Sequence, residues 1–489
     1  MNLTLILPEI SLFLGALIIL MNDVFFGKKF KEIFYASHLL SLIFCAISLC
    51  LIFKTFSEPQ VIAFNSMFES NFFTAFVKSI IALLLTIVVL FSLNFIFSIQ
   101  KISAEFLALL MIASCGAMFL ISSNDFLTFY LSLELQGLSL YLLAALNKTS
   151  AKSSEAGLKY FVLGSCASGI ILFGISMIYG FSGTTNFTAL ADLYSQGKDT
   201  IPLAVVFGFV LVISGMFFKI SAAPFHMWSP DVYEGSATIV TTFFATIAKF
   251  SAVMVLLKLT SSVLTSFVGL DKIFIFVSLV SLAVGSFGAI WQKNLKRLLA
   301  YSSIGHVGFI LLAIGAFNKE ARVAAVLYMV IYALISLGTF GFLNLITSSN
   351  QNSKNDDESN DKIFDISALS GLAKTNPVMA FSLACLMFST AGIPPFAGFF
   401  SKFYVIMATI RSGMFIVPIF AILFSVVSSY YYLRIIKFMY FDEAKNSPIS
   451  LEDINNVKLV VFSISILNLV FVVFLDKILG LISNCVDFL

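Results

Sequence analysis

The sequence predicts an all-α polytopic membrane protein with about 14 transmembrane helices. Hydrophobic residues make up 59% of the chain and charged residues only 11%, whereas a soluble domain is roughly 25% charged. Phenylalanine alone contributes 56 residues. Apolar stretches of about 20 residues, the length that crosses a bilayer as a helix, recur along the chain. Together these observations exclude a soluble fold.

The apolar stretches give the helices in order. The predicted spans are 3–22, 33–54, 72–97, 104–122, 125–146, 156–180, 201–227, 234–259, 271–291, 297–317, 322–348, 377–411, 413–440 and 458–482. The short gap at 122–125 is the weakest division between two spans. The first stretch lacks a basic start and a small-residue cleavage site, so we expect a retained helix. An even number of helices places both termini on one side.

The charges of the loops predict the orientation. Loops after odd-numbered helices, with their flanks, carry more than twice as many lysines and arginines as loops after even-numbered helices. Because basic loops remain in the cytoplasm, the odd loops are predicted to be cytoplasmic and both termini to lie outside. The polar stretch 348–362 lacks apolar periodicity and is predicted to be a mobile cytoplasmic loop.

Two helices are predicted to be broken by proline. The seventh contains Pro224 soon after Lys219, and the twelfth contains Pro394 and Pro395 shortly before Lys402. Proline removes a backbone donor and clashes with the preceding turn, and interrupted helices at corresponding positions of two halves indicate an inverted-repeat transporter. The breaks lie about 170 residues, or five helices, apart. We therefore predict two inverted five-helix repeats, helices 4 to 8 and helices 9 to 13.

This organisation divides the chain into four parts. Residues 1–100 form the N-terminal helices 1 to 3, and 101–260 form the first five-helix bundle. Residues 270–440 form the second bundle with its polar loop, and 456–489 carry helix 14. No loop is long enough to form a soluble domain.

Among the charged residues inside apolar spans, four carry the functional prediction: Glu134, Lys219, Lys249 and Lys402. A lysine near the centre of a membrane helix costs roughly 2.5–3.5 kcal/mol, so each one needs a partner or a use. Glu134 lies about nine residues into helix 5 and Lys249 about fifteen into helix 8, both near mid-membrane. These residues predict a route for protons or cations through the membrane.

Glu134 and Lys219 are the predicted switching pair of this route. A lone buried carboxylate takes up a proton, whereas a nearby lysine keeps it ionised, so loosening the pair would release the lysine's proton. Lys249 is predicted to relay, and Lys402, close to backbone freed by its break, to pass the proton on. The alternatives are a static Glu134–Lys219 pair that fixes helix register and a Lys249 bonded to carbonyls of a broken neighbour.

Three further residues are candidates with open alternatives. Lys159 lies near the cytoplasmic end of helix 6 and either joins the route or extends to the interface. His306, near mid-membrane in helix 10, either relays protons through its two nitrogens or is a hydrogen-bonded core residue. His226 follows the break of helix 7 and either controls proton uptake or is structural. Lys78 in helix 3 is expected to reach the interface. Structural roles are expected for Glu9, Glu105 and His38.

The sequence indicates no site for a metal or a cofactor in this chain. Six cysteines are scattered without a CxxC pair, so neither an iron–sulfur cluster nor a zinc site is indicated. Three dispersed histidines argue against a haem with two histidine ligands. No glycine-rich phosphate loop follows a strand.

Five segments carry a resemblance to a known family. They read LELQGLSLYLLAAL at 133–146, GLKYFVLGSCASGIILFG at 157–174, FKISAAPFHMWSPDVYEGSATIVTTFFATIAK at 218–249, QKNLKRLLAYSSIGHVGF at 292–309 and AGIPPFAGFFSKFYV at 391–405. The chain closely resembles the subunit N family of bacterial NADH-quinone oxidoreductase, respiratory complex I, among the antiporter-like membrane subunits. Lysine at 402 fits subunit N, because subunit M has glutamate there. One departure is Ser236-Ala237-Thr238, where a small residue, proline and threonine are usual.

The resemblance implies a proton-translocating subunit that couples NADH oxidation and quinone reduction in other subunits to proton movement. It places the family's helix 5 glutamate at Glu134 and its lysines at Lys159, Lys219, Lys249 and Lys402. It implies FMN, iron–sulfur clusters, NADH and quinone for the complex, with no cofactor bound by this chain. The implied partners are lipid, subunit M and the small subunits K, J, A and H, without nucleic acid. The implied location is the bacterial inner membrane, with periplasmic termini.

Two other functions remain open on the sequence. One is a subunit of a multisubunit Na⁺/H⁺ antiporter without a redox link, since these proteins share the superfamily. The other is a structural membrane arm whose buried ion pairs are inert. Purification without redox subunits would favour the antiporter, and intact pumping after loss of Glu134 and Lys219 would favour the structural arm.

Overall fold

A computed structural model gives the fold as a bundle of long helices. It describes residues 3–26, 30–56, 60–98, 103–147, 150–195, 201–264, 267, 269–350, 363–443 and 455–489. Within these ranges, 12 helices are long and apolar enough to cross a membrane, and two shorter apolar helices accompany them. The all-α membrane class is confirmed, while the total of fourteen spans, the inverted repeats and the four-part division stay predictions. Most of the polar loop predicted at 348–362 lies outside the described residues.

The N-terminal helices surround a small β-hairpin that the sequence did not predict. The helices are α1 (Leu7–Phe26), which a 3₁₀ turn at Leu3–Ile6 precedes, α2 (Phe30–Thr55) and α3 (Phe72–Ser98). Between α2 and α3, strands β1 (Val61–Ala63) and β2 (Phe68–Ser70) pair antiparallel. Phe64, Asn65 and Ser66 close the hairpin with positive φ angles between 54° and 65°.

The first predicted bundle consists of long helices and several short ones. They are α4 (Ser103–Ser122), α5 (Phe126–Ala144), α6 (Ala151–Ser182), α7 (Phe187–Ser195), α8 (Leu203–Lys219), α9 (Trp228–Gly235), α10 (Thr238–Phe243) and α11 (Lys249–Ser262). A π-helical turn at Phe244–Ala248 joins α10 to α11, so these three pieces form one continuous helix from Thr238 to Ser262. That helix is almost entirely buried.

The second predicted bundle and the C-terminal region follow. Their helices are α12 (Leu270–Ile290), α13 (Leu295–Gly315), α14 (Lys319–Asn350), α15 (Leu372–Thr375), α16 (Pro377–Ala391), α17 (Ala397–Arg411), α18 (Ile416–Tyr440), α19 (Asn455–Val470) and α20 (Leu475–Val486). Short 3₁₀ turns lie at Ile366–Leu369 and Phe471–Phe474. The last of these interrupts the predicted helix 14, which the sequence presented as one apolar run.

Asp125 separates α4 from α5 at the short gap predicted at 122–125. Its Oδ1 accepts a hydrogen bond from the Leu127 N–H at 2.8 Å, and its Oδ2 accepts one from the Thr185 hydroxyl at 2.7 Å. An aspartate before the first turn satisfies a donor that the helix itself leaves unpaired. The division at 122–125 is therefore confirmed, and a capping residue accounts for it.

The connecting loops gather into two sets, as the alternation of spans predicts. Loops after even-numbered spans contact one another, for example through the Asn124 N–H and the Met67 carbonyl at 3.0 Å. Loops after odd-numbered spans do the same, for example through the Ile366 N–H and the Lys293 carbonyl at 3.0 Å. Each set thus marks one end of the bundle.

The predicted break of helix 7 is present, and the helix ends earlier than expected. Helix α8 stops at Lys219, and turns occupy 220–227, which the prediction had included in the span. The freed carbonyl of Phe218 accepts a hydrogen bond from Trp228 Nε1 at 2.9 Å. The N–H of Ala223 donates to the Ser281 hydroxyl at 2.9 Å. These partners satisfy backbone groups that lipid cannot satisfy.

Predicted helix 8 also needs correction at its start. It was expected from residue 234, but Ser236 and Ala237 are extended and separate α9 from α10. The long helix therefore begins at Thr238. The sequence concealed this break because the chain lacks the proline that is usual here.

The predicted break of helix 12 divides it into α16 and α17. Gly392 ends α16 with φ +85°, a left-handed conformation that favours glycine. A Cβ atom at this position would lie 3.0 Å from Cδ of Lys402. The backbone reverses here, close to a buried lysine, because position 392 has no side chain.

We predict that Gly392→Ala lowers the free energy of unfolding. The left-handed conformation costs a non-glycine residue roughly 1–2 kcal/mol, and the added methyl group also presses on Lys402. The measurement is the thermal unfolding midpoint of the purified protein in detergent. Gly169→Ala in α6 is the matched control, because nothing lies within 4 Å of its Cβ position. There the midpoint should stay constant or rise, since alanine favours a helix by roughly 0.5–1 kcal/mol; equal losses in both variants would contradict this account.

Candidate functional site

Glu134 and Lys219 share one site but do not form a direct ion pair. Lys219 Nζ donates to the Tyr141 hydroxyl at 3.2 Å. The Ser168 hydroxyl donates to Glu134 Oε1. The carboxylate and the ammonium group therefore each contact a hydroxyl group. The predicted direct contact is absent between these two described residues, and their switching role stays a prediction.

Two glycines leave space for Lys219 Nζ and the Tyr141 hydroxyl. A Cβ atom at Gly137 would lie 3.3 Å from Lys219 Nζ, and one at Gly164 would collide with the Tyr141 hydroxyl. Gly137 lies three residues after Glu134 on α5, and Gly164 lies four before Ser168 on α6. The small residues thus let α5, α6 and α8 bring the polar groups together.

Lys249 is bound by a hydroxyl group and not by the carbonyls of a broken helix. Its Nζ donates to the Ser303 hydroxyl on α13 at 2.6 Å and lies 5.3 Å from the centre of the Tyr233 ring. The π-helical turn ends one residue before Lys249, and such turns occur frequently at functional sites.

His306 is hydrogen-bonded through both ring nitrogens. Nδ1 lies 2.8 Å from the Tyr328 hydroxyl, and Nε2 lies 3.1 Å from the Tyr432 hydroxyl. The Tyr432 hydroxyl also lies 2.5 Å from the Ser302 hydroxyl. A neutral imidazole can donate at one nitrogen and accept at the other, so this arrangement can pass a proton between two tyrosines.

Lys402 binds carbonyl groups at the end of α16, the helix that stops at the break before Lys402. Its Nζ donates to the carbonyls of Thr390 at 3.0 Å and Ala391 at 2.9 Å, and to the Ser425 hydroxyl at 3.0 Å. The last carbonyls of a helix have no partner within it, so a lysine here meets acceptors already in place. The predicted proximity of Lys402 to freed backbone is confirmed.

Lys402 and His306 line the same cavity. Its volume is about 10 Å³, and Ser302, Tyr431 and Tyr432 also line it. This is room for about one water molecule. Ser302 is the neighbour of Ser303 on α13 and contacts the Tyr432 hydroxyl. Hydroxyl groups and one imidazole thus lie between the surroundings of Lys249 and those of Lys402.

Aromatic rings fill the space between Lys219 and Lys249. Tyr160 stacks on Trp228 with ring centres 4.5 Å apart and meets Phe244 edge-on at 5.3 Å. All three rings are buried. No hydrogen bond or ion pair joins the two lysines directly within the described ranges. This part of the route is therefore apolar, in contrast to the hydroxyl-rich part beyond Lys249.

Lys159 belongs to a separate charged cluster at the end of the bundle predicted to be cytoplasmic. Its Nζ lies 2.7 Å from both Glu155 Oε1 and Asp231 Oδ2. Arg297 lies 2.9 Å from Asp231 and 3.0 Å from Glu234. The cluster lines a cavity of about 180 Å³. A bound, partly exposed lysine fits neither open alternative completely, and its role stays a prediction.

The charges around Asp231 set its protonation. Asp231 lies on α9, outside the membrane-spanning helices. Partial burial alone would raise the pKa of its carboxyl group, but the hydrogen bond from Lys159 and the charge of Arg297 outweigh burial and hold that pKa below its ordinary value. Asp231 is therefore ionised at neutral pH and links α6 to α13.

His226 lies apart from the lysines. It is half-buried on the turn after α8, beyond Pro224. No hydrogen bond or ion pair in the described part of the chain joins it to Lys219 or Lys249. Its control of proton uptake stays a prediction without a contact that supports it.

Sequence reasoning missed two buried ion pairs. Lys78 was expected to reach the interface, but it is buried against Glu9 with Nζ 2.5 Å from Oε1. Lys258 lies near the end of the predicted span 234–259, where a lysine can reach water, but it is buried on α11, 2.8 Å from Glu69. Charge alone did not distinguish a lysine at a helix end that faces neighbouring helices from one that faces water.

The hydroxyl groups of the site were also missed. Tyr141 lies seven residues after Glu134 and therefore on the same face of α5. Ser302 and Ser303 lie one turn before His306 on α13. This helical spacing was the sequence signal that could have identified these hydroxyl groups. Tyr328 and Tyr432 come from distant helices, and no sequence pattern places them at His306.

Comparison with known proteins identifies the family. The sequence profile of the NADH:quinone oxidoreductase/Mrp antiporter transmembrane family matches residues 123–431. NADH-quinone oxidoreductase subunit N of Paramagnetospirillum magneticum is 43% identical over 443 residues, which cover 90% of this chain and 88% of the relative. The chain belongs to the subunit N family. Subunit N of Pelagibacter ubique is 38% identical over 485 residues, with 99% of both chains covered.

Solved structures agree with this family. A chain of respiratory complex I from Thermus thermophilus with bound aureothin is similar with a TM-score of 0.80 at 26% identity, covering 97% of this chain and 98% of that chain. A chain of the Mrp complex from Dietzia sp. DQ12-45-1b has a TM-score of 0.79 at 19% identity and covers 100% and 97%. The second likeness shows the shared fold alone. The resemblance to subunit N is confirmed.

We predict that Tyr432→Phe slows proton transfer and destabilises the protein. It removes the hydroxyl group that contacts His306 and Ser302, and an unpaired buried polar group costs about 1–3 kcal/mol. The measurements are proton pumping by the assembled complex in membrane vesicles and its thermal unfolding. Tyr430→Phe is the matched control, because Tyr430 is adjacent and 56% exposed. Unchanged pumping in the Tyr432 variant would exclude its hydroxyl group from the route.

We predict that Asp231→Asn destabilises the protein at neutral pH but not in acid. A carboxyl group with a lowered pKa stabilises the fold above its ordinary pKa of 3.8, and this contribution disappears as pH falls through the folded-state pKa. The difference in unfolding midpoint between wild type and variant should therefore be present at pH 7 and shrink below about pH 4. Thermal unfolding in detergent across this range measures it. A difference that does not depend on pH would contradict the ion-pair explanation.

Proposed function

We propose that this chain is the proton-translocating subunit N of a bacterial NADH-quinone oxidoreductase. The observation that carries the proposal is the set of buried polar groups between Lys249 and Lys402, which includes Ser303, His306 and Tyr432. Membership in the subunit N family supports it. Ionisable residues buried in membrane helices indicate ion pathways by default, and here they lie in an order that a proton could follow.

In the proposed route, Glu134 and Lys219 respond to charge and the later residues relay. A change at Glu134 reaches Lys219 through Ser168 and Tyr141. The aromatic segment of Tyr160, Trp228 and Phe244 limits transfer until it admits water, because apolar constrictions block conduction when dry. Beyond it, Lys249 gives its proton to the hydroxyl and imidazole groups, and Lys402 receives it.

The redox chemistry belongs to other subunits in this proposal. FMN, iron–sulfur clusters, NADH and quinone would bind there, and no group of His, Cys, Asp or Glu among the described residues is arranged to hold a metal ion. The proposed neighbours are subunit M and the small subunits K, J, A and H within the lipid bilayer. The proposed location is the bacterial inner membrane with both termini in the periplasm.

We predict that Lys249→Met stops proton pumping while the complex still assembles. Methionine has no ionisable group, whereas Lys249→Arg retains charge but releases no proton at physiological pH, so neither variant should pump protons while NADH is oxidised. The measurement is vesicle acidification during NADH oxidation. Lys477→Met, at an exposed lysine on α20, is the control and should pump normally.

The same vesicles separate this function from its alternatives. Normal pumping in the Lys249 variants would refute the relay and favour a structural membrane arm. Sodium–proton exchange by the purified chain without redox subunits would favour the antiporter. Pumping that stops in both Lys249 variants and continues in the Lys477 control supports the proposal.

A further inference from the structure

The Glu69–Lys258 ion pair lies outside the proposed route, yet it binds the helix that carries Lys249. Lys258 Nζ lies 2.8 Å from Glu69 Oε2 and donates to the carbonyls of Ser123 at 2.9 Å and Ile121 at 3.3 Å. Both charged residues are buried. Removing one partner of a buried pair leaves an uncompensated charge, so this end of the helix is held firmly.

Glu69 is itself fixed by the hairpin and its surroundings. Its Oε1 accepts hydrogen bonds from Gln60 and Asn71, each at 2.9 Å. The hairpin is in turn bonded to the loop after α4 through the Asn124 N–H and the Met67 carbonyl. Lys258 is therefore bound to a fixed framework and not to a loose surface group.

A second buried lysine holds the opposite end of the same helix. Lys296 Nζ donates to the carbonyl of Ser236 at 3.0 Å, immediately before the helix begins at Thr238. It also lies 4.3 Å from the centre of the Phe364 ring. The helix from Thr238 to Ser262 is thus bound at both ends.

The π-helical turn at Phe244–Ala248 lies between these two fixed ends. Such a turn contains one residue more than an α-helical turn. If it relaxes or moves along the helix, the residues it passes rotate by about 100° and shift by about 1.5 Å. Lys249 follows the turn directly, and its Nζ donates a hydrogen bond to the Ser303 hydroxyl at 2.6 Å. Such a rotation breaks this hydrogen bond.

We propose that Glu69, acting through Lys258, is a positioning residue for Lys249. The pair fixes the outer end of the helix, so the π-helical turn stays before Lys249 and the ammonium group stays opposite Ser303. The effect on pumping rests on the proposed function, whereas the effect on geometry does not.

The Glu9–Lys78 pair provides a matched control. It is buried on the same side of the bundle, and Lys78 lies 4.8 Å from the centre of the Phe68 ring in the hairpin. It joins α1 to α3 and makes no ion pair or hydrogen bond with the helix from Thr238 to Ser262 in the described residues. Lys78 also lies close enough to Lys258 to repel its charge, but neutralising the Glu9–Lys78 pair removes no ion pair or hydrogen bond of that helix among the described residues.

The test compares neutralised pairs in the assembled complex. Glu69→Gln with Lys258→Met leaves no unpaired charge, as does Glu9→Gln with Lys78→Met. Structures of both variants by electron cryomicroscopy report the π-helical turn, and vesicle assays report protons pumped per NADH. In the first variant we expect the turn to move or relax, Lys249 to leave Ser303, and the proton ratio to fall while quinone reduction continues. The second variant should retain the turn, the contact and the ratio.

Three results would overturn the proposal. One is an unchanged turn and Lys249–Ser303 contact in the first variant. Another is an equal shift in both variants. The third is that the first variant does not assemble, whereas Lys258→Arg, which retains charge and donors, assembles with the turn in place. In that case the pair is needed for folding itself. A shifted turn with normal pumping would refute the proposed function and leave the positioning role standing.

Discussion

The fold of this chain depends on the need of each buried lysine for an acceptor. An ammonium group in a membrane costs roughly 2.5–3.5 kcal/mol without compensation. Lys219 donates a hydrogen bond to the Tyr141 hydroxyl, and Lys249 donates one to the Ser303 hydroxyl. Lys402 meets two carbonyls that a helix end leaves free. The acceptors differ, but in each case a neighbouring helix or a break is placed so that the lysine nitrogen has a partner.

The two broken helices provide acceptors for their lysines in different ways. At the first break, Trp228 and Ser281 satisfy the freed backbone groups, so Lys219 remains available to a side chain. At the second break, Lys402 itself binds the freed carbonyls. The aromatic segment then separates Lys219 from Lys249, whereas hydroxyl groups lie between Lys249 and Lys402. The part of the route between Lys219 and Lys249 is therefore suited to the control of proton transfer, and the part between Lys249 and Lys402 to proton conduction.

Sequence reasoning predicted what depends on composition and on proline. The membrane class, the breaks at Pro224 and Pro394, and the proximity of Lys402 to freed backbone follow from local chemistry. It did not predict the π-helical turn before Lys249 or the extended backbone at Ser236, because neither contains a proline or glycine signal of its own. Contacts between distant helices, such as Tyr432 with His306 and Lys258 with Glu69, have no sequence signal at all. They are set by how the helices pack.

The central claim is that Lys249 gives up and regains its proton during turnover. Infrared difference spectra of the assembled complex, with lysine labelled by ¹⁵N, report this directly when NADH is added. The account predicts lysine N–H bands that change with turnover and lose intensity in Lys249→Met but not in Lys477→Met. Lysine bands that stay constant throughout turnover would show that Lys249 does not change its protonation state and would contradict the account.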